Sequence, residues 1–287
     1  LGKYMIVRFF LPVILFFGLF MSQSQAVPKH AKGLMEILIT VDLGNGKKGV
    51  GVLSTKIGEE NQTLLAVLLP GYPAVVRPIV ENNVMIRSGL NRNFLIRARR
   101  HLADDEIATL VVDCPSEIGP VCTTEYQASK ERERDVQKLI VESKKYLPTV
   151  QKVWLVGTSM GTVSSSFMPM HNMTGYEGAI HTASISEPYE RNNLYIDLLD
   201  FDYKKSGIPQ FFIHHKEDAC ELTTYSGVKK IAYKFDAPLI TVIGGSRFKG
   251  GECGPLSQHG FRGSEKKVMR NISRIIKTQK ANDLQID

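Results

Sequence analysis

The spacing of apolar and polar positions changes several times along the first part of the chain. Residues 34–41 alternate apolar and polar side chains, a Leu-Gly-Asn-Gly turn follows at 43–46, and residues 49–55 form the returning strand of a hairpin. Residues 64–69 are continuously apolar, as is typical of a strand covered on both faces, and the run ends at a Pro-Gly-Tyr-Pro turn. The pattern predicts a hairpin followed by a buried third strand.

Strands and helices then alternate to the end of the chain. Further strands are predicted at 107–112, 153–156, 178–185, 208–214 and 239–243, and helices at 90–102, 129–147 and 222–234 and around Val268, Ile272, Ile275 and Ile276. The charged run at 130–135 is assigned to the solvated face of its helix. Alternation of this kind implies parallel crossovers, so we predict an α/β fold: a doubly wound, mostly parallel sheet of about eight strands with helices on both faces.

The N-terminal segment has the pattern of a secretory signal peptide. Arg8 precedes an apolar run at 9–20, and a Ser-Gln-Ala sequence at 24–26 provides the small residues of a cleavage site. The run spans 12 residues, fewer than the roughly 20 of a membrane-spanning helix. We expect a start at Met5, cleavage after Ala26, and a secreted or periplasmic mature protein without a stable membrane span. The alternative is an uncleaved N-terminal anchor.

Composition and charge limit the range of partners. At 287 residues the chain is long enough for one large α/β domain, which we expect at 27–287. The formal net charge of +7 falls to +5 when Lys3 and Arg8 are removed with residues 1–26. No Lys/Arg block with interleaved aromatic residues accompanies this charge, so we expect no nucleic-acid partner. The oligomeric state is not predicted.

A G-x-S-x-G sequence at 157–161 is the strongest chemical signal in the chain. It follows an apolar strand and precedes a helix-forming stretch, and a tight turn of this kind holds a serine hydroxyl away from the backbone. Ser159 is therefore the predicted nucleophile. Gly157 and Gly161 stand where side chains would collide with neighbouring backbone. A serine between glycines is most often an ordinary turn residue, so the prediction depends on the order of the surrounding elements.

With this order of elements, the chain resembles the α/β-hydrolase superfamily over nearly all of residues 34–280. Two segments carry the resemblance: Gly-Thr-Ser-Met-Gly at 157–161, after the fifth strand, and Gln-His-Gly-Phe at 258–261, between the last strand and the last helix. The resemblance implies the α/β-hydrolase fold and a chain order of nucleophile, acid and base, which Ser159, Asp218 and His259 satisfy.

Each of these three residue types suits its expected role. An imidazole titrates near neutrality, so His259 would accept the proton of Ser159 and later give it to the leaving group. The carboxylate of Asp218 would fix the imidazole tautomer and stabilise its cation. Glu217 and Glu187 remain alternative acids, and Asp218 is preferred for its position in the fold.

The resemblance also implies an oxyanion hole made of two backbone N–H groups. The first would belong to Met160 at the start of the elbow helix, and the second to the turn after the third strand, where we expect Tyr72. This turn lacks the His-Gly-Gly sequence of many lipases and esterases. The choice of Tyr72 therefore depends on topology.

Four cysteines, Cys114, Cys122, Cys220 and Cys253, lie in the expected exported portion. Their even number is consistent with two disulfides among three possible pairings. The resemblance brings the acid and base loops together, which would make Cys220 and Cys253 neighbours. A bridge between them would stabilise the fold by about 3 kcal/mol in the chain-entropy picture, and the other two would pair locally. Four reduced thiols are the alternative.

His214 and His215 stand beside acidic residues, but the apolar run before them marks the end of a strand. No second cluster with ligand spacing accompanies them, so we expect no metal site and no cofactor. His181 is isolated and is assigned to the surface or to a hydrogen-bonded core. The sequence predicts a serine hydrolase that acts on a small-molecule acyl substrate through an acyl-enzyme. It does not separate esterase from thioesterase, lipase, peptidase or acyltransferase, and the alternative is a non-catalytic envelope binding protein on the same scaffold.

Overall fold

A computed structural model of the protein describes Gly2 and residues 26–59, 61–191, 194–196 and 198–287. Apart from Gly2 and Ala26, the predicted signal peptide lies outside these described residues. Within them, no helix combines the length and the hydropathy that crossing a bilayer requires.

One large sheet, accompanied by two small ribbons, organises the described chain. Its residues form the strands β1 Leu34–Gly44, β2 Lys47–Lys56, β3 Leu64–Leu69, β4 Ile79–Glu81, β5 Val84–Arg87, β6 Ile107–Val112, β7 Lys152–Thr158, β8 Gly178–Thr182, β9 Tyr189–Arg191, β10 Leu194–Ile196, β11 Gln210–His215, β12 Leu239–Val242 and β13 Gln285–Ile286. Nine of them form the sheet in the order β1-β2-β6-β3-β7-β8-β11-β12-β13, while β4 pairs with β5 and β9 with β10. The predicted sheet is confirmed, with the two-residue β13 as an additional edge strand.

The direction of the strands explains where a site can form. Pairings β1–β2 and β2–β6 are antiparallel, and the other pairings of the large sheet are parallel. Every residue of β3, β6 and β11 is buried. Burial on both faces accounts for the apolar sequence of β3 and the mostly apolar sequence of β6, whereas β11 ends in two buried histidines. The loops after β3, β7, β11 and β12 meet at one edge of the sheet because parallel strands end on the same side.

Helices cover both faces of this sheet. Those in the described residues are α1 Phe94–Ala98, α2 Thr124–Ala128, α3 Lys130–Tyr146, α4 Gly161–His171, α5 Tyr225–Phe235 and α6 Glu265–Thr278. α1 and α6 pack on one face through residues such as Phe94 and Ile272. α3 and α4 cover the other through residues such as Leu139 and Met168, and α5 packs there against Phe212 of β11.

The helix predicted at 90–102 is shorter in the structure. The side chain of Asn93 accepts a hydrogen bond from the backbone N–H of Leu95 at 3.0 Å, so this cap fixes the start of α1. After α1 the chain continues as a 3-10 turn, Arg99–His101. Arg99 Nη2 lies 2.7 Å from Glu36 Oε1, and both side chains are fully buried. This ion pair anchors the turn against β1.

The assignment of the charged run at 130–135 to a solvated face is wrong for part of it, because Arg132, Glu133 and Asp135 are buried in α3. Arg132 Nη1 donates to the carbonyl of Asp113 at 2.9 Å, and the hydroxyl of Tyr126 donates to Asp135 at 2.7 Å. Buried charges of this kind are tolerated when they have polar partners.

Candidate active site

Ser159 lies in the sharp turn between β7 and α4. Its backbone φ is +52°, in the left-handed region that residues other than glycine rarely adopt. A Cβ atom at Gly161 would collide with the carbonyl oxygen of Leu69, and one at Gly157 would collide with the hydroxyl of Ser165. The two glycines therefore let this strained turn pack closely against β3 and α4.

His259 lies in the 3-10 turn Gln258–Gly260, between β12 and α6. Its backbone N–H donates to Ser257 Oγ at 3.2 Å, which caps the turn. Its ring Nδ1 lies 3.0 Å from Asp218 Oδ2. When Nδ1 carries the proton that binds this carboxylate, the free lone pair of the imidazole is on Nε2, which is then able to accept a proton.

Asp218 follows β11, and its carboxylate receives several hydrogen bonds. Oδ1 accepts from the backbone N–H of Cys220 at 3.1 Å, and Oδ2 accepts from the hydroxyl of Thr223 at 3.0 Å. His214 Nε2 lies 3.2 Å from the same Oδ2. Burial raises the pKa of the Asp218 carboxyl, but the hydrogen bonds from His214 and His259 outweigh it and hold this pKa well below its ordinary range. The carboxyl is ionised at neutral pH.

The two alternative acids are placed differently. The carboxylate of Glu187 accepts a hydrogen bond from the hydroxyl of Thr224, and Glu217 is exposed to solvent. Of the three candidates, Asp218 is the one that the structure brings into hydrogen-bond contact with His259.

Two residues that the sequence analysis did not assign to the site complete this cluster. Thr223 Oγ1 lies 3.0 Å from Asp218 Oδ2 and 3.0 Å from His259 Nδ1, so it can donate to the carboxylate and accept from the imidazole. His214 Nε2 also donates to the backbone carbonyl of Thr223 at 2.7 Å, and its Nδ1 is buried without a partner among the described residues. The sequence signal was the position of His214 four residues before Asp218, at the end of a strand.

The turn after β3 runs beside the elbow serine. A Cβ atom at Gly71 would lie 2.9 Å from the Cβ of Ser159, so the two backbones approach closely. Tyr72 and Met160 line the same cavity as Ser159. Within the described part of the chain, the backbone N–H groups of Tyr72 and Met160 have no acceptor.

A cavity of about 640 Å³ connects these groups, with Ser159 and His259 on its wall. Its other lining residues include the apolar side chains of Tyr72, Pro73, Leu90, Phe94, Val163, Ile185, Leu222 and Pro255. This size and lining are typical of a site for a small organic molecule. In the described residues, the hydroxyl of Ser159 makes no hydrogen bond with His259.

Both expected disulfides are present: Cys220–Cys253 and Cys114–Cys122. The first joins the loop that carries Asp218 to the loop that carries His259, and its two cysteines line the cavity. The second closes a local loop in which both cysteines are buried. The larger bridge therefore limits how far the acid and base loops can separate.

The histidines at the end of β11 serve neighbouring backbone and the acid. His215 Nε2 donates to the carbonyl of Gly244 at 2.8 Å, and His214 contacts Asp218 as described. Throughout the chain as far as the structure describes it, no group of three or more His, Cys, Asp or Glu side chains is arranged to hold a metal ion.

No protein-family model matches this chain, and no curated protein sequence matches it. Its fold is similar to that of Est1E from Butyrivibrio proteoclasticus, with a TM-score of 0.56 and 15% identity over 84% of this chain and 98% of that chain. The Pyrococcus furiosus esterase Pf2001 gives a TM-score of 0.56 at 12% identity, over 85% of this chain and 91% of that one. A cold-adapted esterase from an Arctic intertidal metagenomic library gives 0.53 at 12% identity, over 83% and 94%. The chain has the α/β-hydrolase fold, and these structural neighbours are esterases.

Proposed function

We propose that the protein is an exported serine hydrolase that cleaves a carboxylic ester or a related acyl bond through an acyl-enzyme on Ser159. One observation carries the proposal: a serine held at φ +52° in a strand-to-helix turn opens into the same cavity as a histidine bound to a buried carboxylate. Strain of this kind persists where the surrounding structure maintains it, and it is common at active sites. The fold of the esterase neighbours supports the same reaction class.

The acylation step follows from the chemistry of the side chains. Ser159 Oγ attacks the carbonyl carbon of the substrate while its proton passes to Nε2 of His259. The negative charge that forms on the carbonyl oxygen is stabilised by the N–H groups of Met160 and Tyr72. Collapse of this tetrahedral intermediate breaks the bond to the leaving group, which takes the proton from Nε2. The ionised Asp218 stabilises the imidazolium throughout.

Deacylation repeats the sequence with water as the nucleophile. A water molecule gives its proton to Nε2 of His259 and attacks the acyl carbon, and the proton then returns to Ser159 Oγ as the acid product leaves. Apart from the substrate and water, the side chains of Ser159 and His259 exchange every proton in this cycle. The proposal therefore includes no cofactor.

Fluorophosphonate labelling of the mature protein tests the proposal directly. We expect labelling of the wild type, none in Ser159→Ala and strongly reduced labelling in His259→Ala, because the reagent requires an activated serine. Ser164→Ala is a matched control, since Ser164 is a buried serine of α4 that does not line the cavity. Hydrolysis of esters of graded acyl length would then report the acyl size that the cavity accepts.

The lack of a hydrogen bond between Ser159 and His259 favours a second candidate, a non-catalytic binding protein on the same scaffold. Catalytic hydrogen bonds are often long before substrate binds, so this geometry is also compatible with an enzyme. Absence of labelling in wild-type protein that is folded by circular dichroism would support the binding protein and overturn the hydrolase.

The proposed location outside the cytoplasm agrees with the two disulfides, because such bonds persist in oxidising compartments. N-terminal sequencing of the exported product tests it. Val27 as the first residue supports cleavage after Ala26, whereas an intact N-terminal segment supports the anchored alternative.

A further inference from the structure

A second cleft, of about 490 Å³, lies behind the loop that carries His259. We call it the basic cleft, because six lining residues carry a permanent positive charge: Lys29, Arg97, Arg100, Arg247, Arg262 and Lys266. They come from the N-terminal turn, α1 and the turn after it, the loop after β12, and the start of α6. The basic cleft shares no lining residue with the cavity of the candidate active site.

The basic cleft has a strong excess of positive charge. Its single carboxylate, Glu265, is already engaged, with Oε1 lying 3.1 Å from Arg97 Nη2 and 3.8 Å from Arg262 Nη1. The other four cations, Lys29, Arg100, Arg247 and Lys266, form no ion pair with any described residue. Like charges gathered in a concave surface raise the free energy of the protein unless an anion neutralises them.

One wall of the basic cleft, made by α1 and the turn after it, is held in place by an ion pair and hydrogen bonds. Arg100 follows Arg99, whose ion pair with Glu36 is fully buried. The guanidinium of Arg97 donates to the carbonyl of Gly260 at 2.5 Å and to that of Arg92 at 2.6 Å. The wall that α1 and the turn after it provide is therefore preformed, which reduces the entropy cost of binding a ligand there.

The two histidines of the basic cleft report the same electrostatic surroundings. The pKa of His30 is lowered, by burial first and then by the charge of Arg99. The pKa of His101 is lowered by burial and then by the charges of Arg100 and Lys266. Both rings therefore favour the neutral form and leave the ligand-facing charge to the lysines and arginines.

We propose that the basic cleft binds a ligand that carries two or more phosphate groups. Arginine guanidinium groups match phosphate oxygens in a bidentate geometry, and the N-terminus of the 14-residue α6 adds a partial positive charge at one wall. Four unpaired cations and a volume of about 490 Å³ exceed what a single phosphate requires. Such a ligand is either a soluble polyphosphorylated molecule or the headgroup of a lipid.

Calorimetric titration of the mature protein with pyrophosphate, at constant ionic strength, tests the soluble source. We expect saturable binding at one site, weakened about tenfold or more in the double variant Arg100→Gln/Arg247→Gln, because each lost contact is a charge-assisted hydrogen bond. A second double variant, Lys29→Gln/Lys266→Gln, removes two cations from the other walls and should weaken binding similarly. Circular dichroism checks that each variant is folded.

The matched control is Lys229→Gln/Lys230→Gln, which removes two exposed charges from α5 outside the basic cleft. Its affinity should equal that of the wild type. Equal weakening in the control and in the cleft variants would overturn the proposal, because it would show that net charge alone attracts the anion.

Sedimentation with phosphatidylcholine vesicles that contain cardiolipin, a lipid with two phosphates, tests the other source. Binding to these vesicles that is lost in Arg100→Gln/Arg247→Gln supports the proposal and assigns the ligand to a lipid headgroup. Absence of site-specific binding to both pyrophosphate and the vesicles would overturn it. Because the cleft variants leave Ser159 and His259 in place, fluorophosphonate labelling separates this outcome from failure of the proposed function.

Discussion

Two serine–histidine pairs lie near the start of α4. One is Ser159 with His259, in the cavity, and the other is Ser165 with His181. Ser165 Oγ lies 2.8 Å from His181 Nδ1, and His181 Nε2 lies 2.7 Å from Gln210 Oε1, so this chain of hydrogen bonds is complete. Ser159 has no such bond to His259, although both line the cavity. The pair with the complete hydrogen-bond chain is therefore the one that does not line the cavity.

The two pairs differ in the group that binds the histidine and in the access of solvent. Ser165 and His181 are fully buried, and burial lowers the pKa of His181 to about 4, so its ring is neutral at physiological pH. Its partner is an amide, which does not stabilise an imidazolium as a carboxylate does. His259 instead contacts the ionised Asp218 beside an open cavity. The comparison separates structural polar networks from candidate catalytic ones.

Removal of each serine should give the largest contrast. We expect Ser159→Ala to lower kcat for an activated ester by about 10⁴- to 10⁶-fold, because the nucleophile is lost. Ser165→Ala should leave kcat within about threefold and reduce the free energy of unfolding by about 1 kcal/mol through the lost hydrogen bond. Ester hydrolysis and urea unfolding measure the two effects. Similar losses of activity in both variants would remove the distinction between the pairs.

Replacing the group that binds each histidine should give the next largest effect. We expect Asp218→Asn to lower kcat by about 10³- to 10⁴-fold, because an amide neither holds the productive tautomer nor stabilises the cation. The converse change, Gln210→Glu in a Ser159→Ala background, gives His181 a carboxylate. It should restore no hydrolysis, because the buried pair has no access to substrate. Recovered hydrolysis in that double variant would show that access is not the deciding factor.

His181 should make stability depend on pH. Its folded pKa of about 4 lies below the ordinary 6.5, so the unfolded chain takes up the proton first. The contribution of His181 to the free energy of unfolding is fully present above pH 6.5. It is lost as the pH falls toward 4, by about 3 kcal/mol in total. His181→Gln should be less stable at pH 7 but lose less stability over this range. Urea unfolding at several pH values checks this, and parallel curves for the two proteins would contradict it.

His214 should show the smallest effect, because Asp218 keeps its other hydrogen bonds in the variant. We expect His214→Leu to raise the pKa of Asp218 and to lower the free energy of unfolding at pH 7 by about 1 kcal/mol. The stability that a depressed carboxyl pKa provides is present above the ordinary value of 3.8 and is lost below it. The stability difference between variant and wild type should therefore narrow below that pH, and kcat at pH 7 should fall less than about tenfold, since one hydrogen bond of about 1 kcal/mol is lost.

A constant stability difference between His214→Leu and the wild type below pH 3.8 would show that His214 does not act through the ionisation of Asp218. His215→Leu is the matched control, since the His215 ring contacts the Gly244 carbonyl and not the Asp218 carboxylate. The backbone hydrogen bond from Asp218 N–H to the His215 carbonyl does not depend on that side chain. Its stability difference from the wild type should not change in this way as the pH falls below 3.8.

The sequence predicted the frame of the fold because buried parallel strands have a distinctive apolar pattern. The strands at 64–69 and 107–112 were predicted with the bounds that β3 and β6 have in the structure. The ribbons β4–β5 and β9–β10 and the edge strand β13 were missed, because most of these strands have only two or three residues and carry too little periodicity to detect.

The candidate site was predicted as far as chain order determines it. Ser159, Asp218 and His259 follow strands that end at one edge of the sheet, and order alone places them there. The roles of Thr223 and His214 depend on distances within one folded loop, which no sequence pattern encodes. Likewise, the buried charges of α3 depend on packing that the local pattern does not determine.

The bridge between Cys220 and Cys253 has a practical consequence for the bench. Cys253 is exposed, whereas Cys114 and Cys122 are buried, and thiol exchange is fastest at the sulfur that a reductant can reach. Dithiothreitol in an assay buffer would therefore cut this bridge first and free the two loops that it ties together. We therefore expect protein made in a reducing host, or stored with thiols, to show less of the proposed hydrolase activity than the oxidised protein.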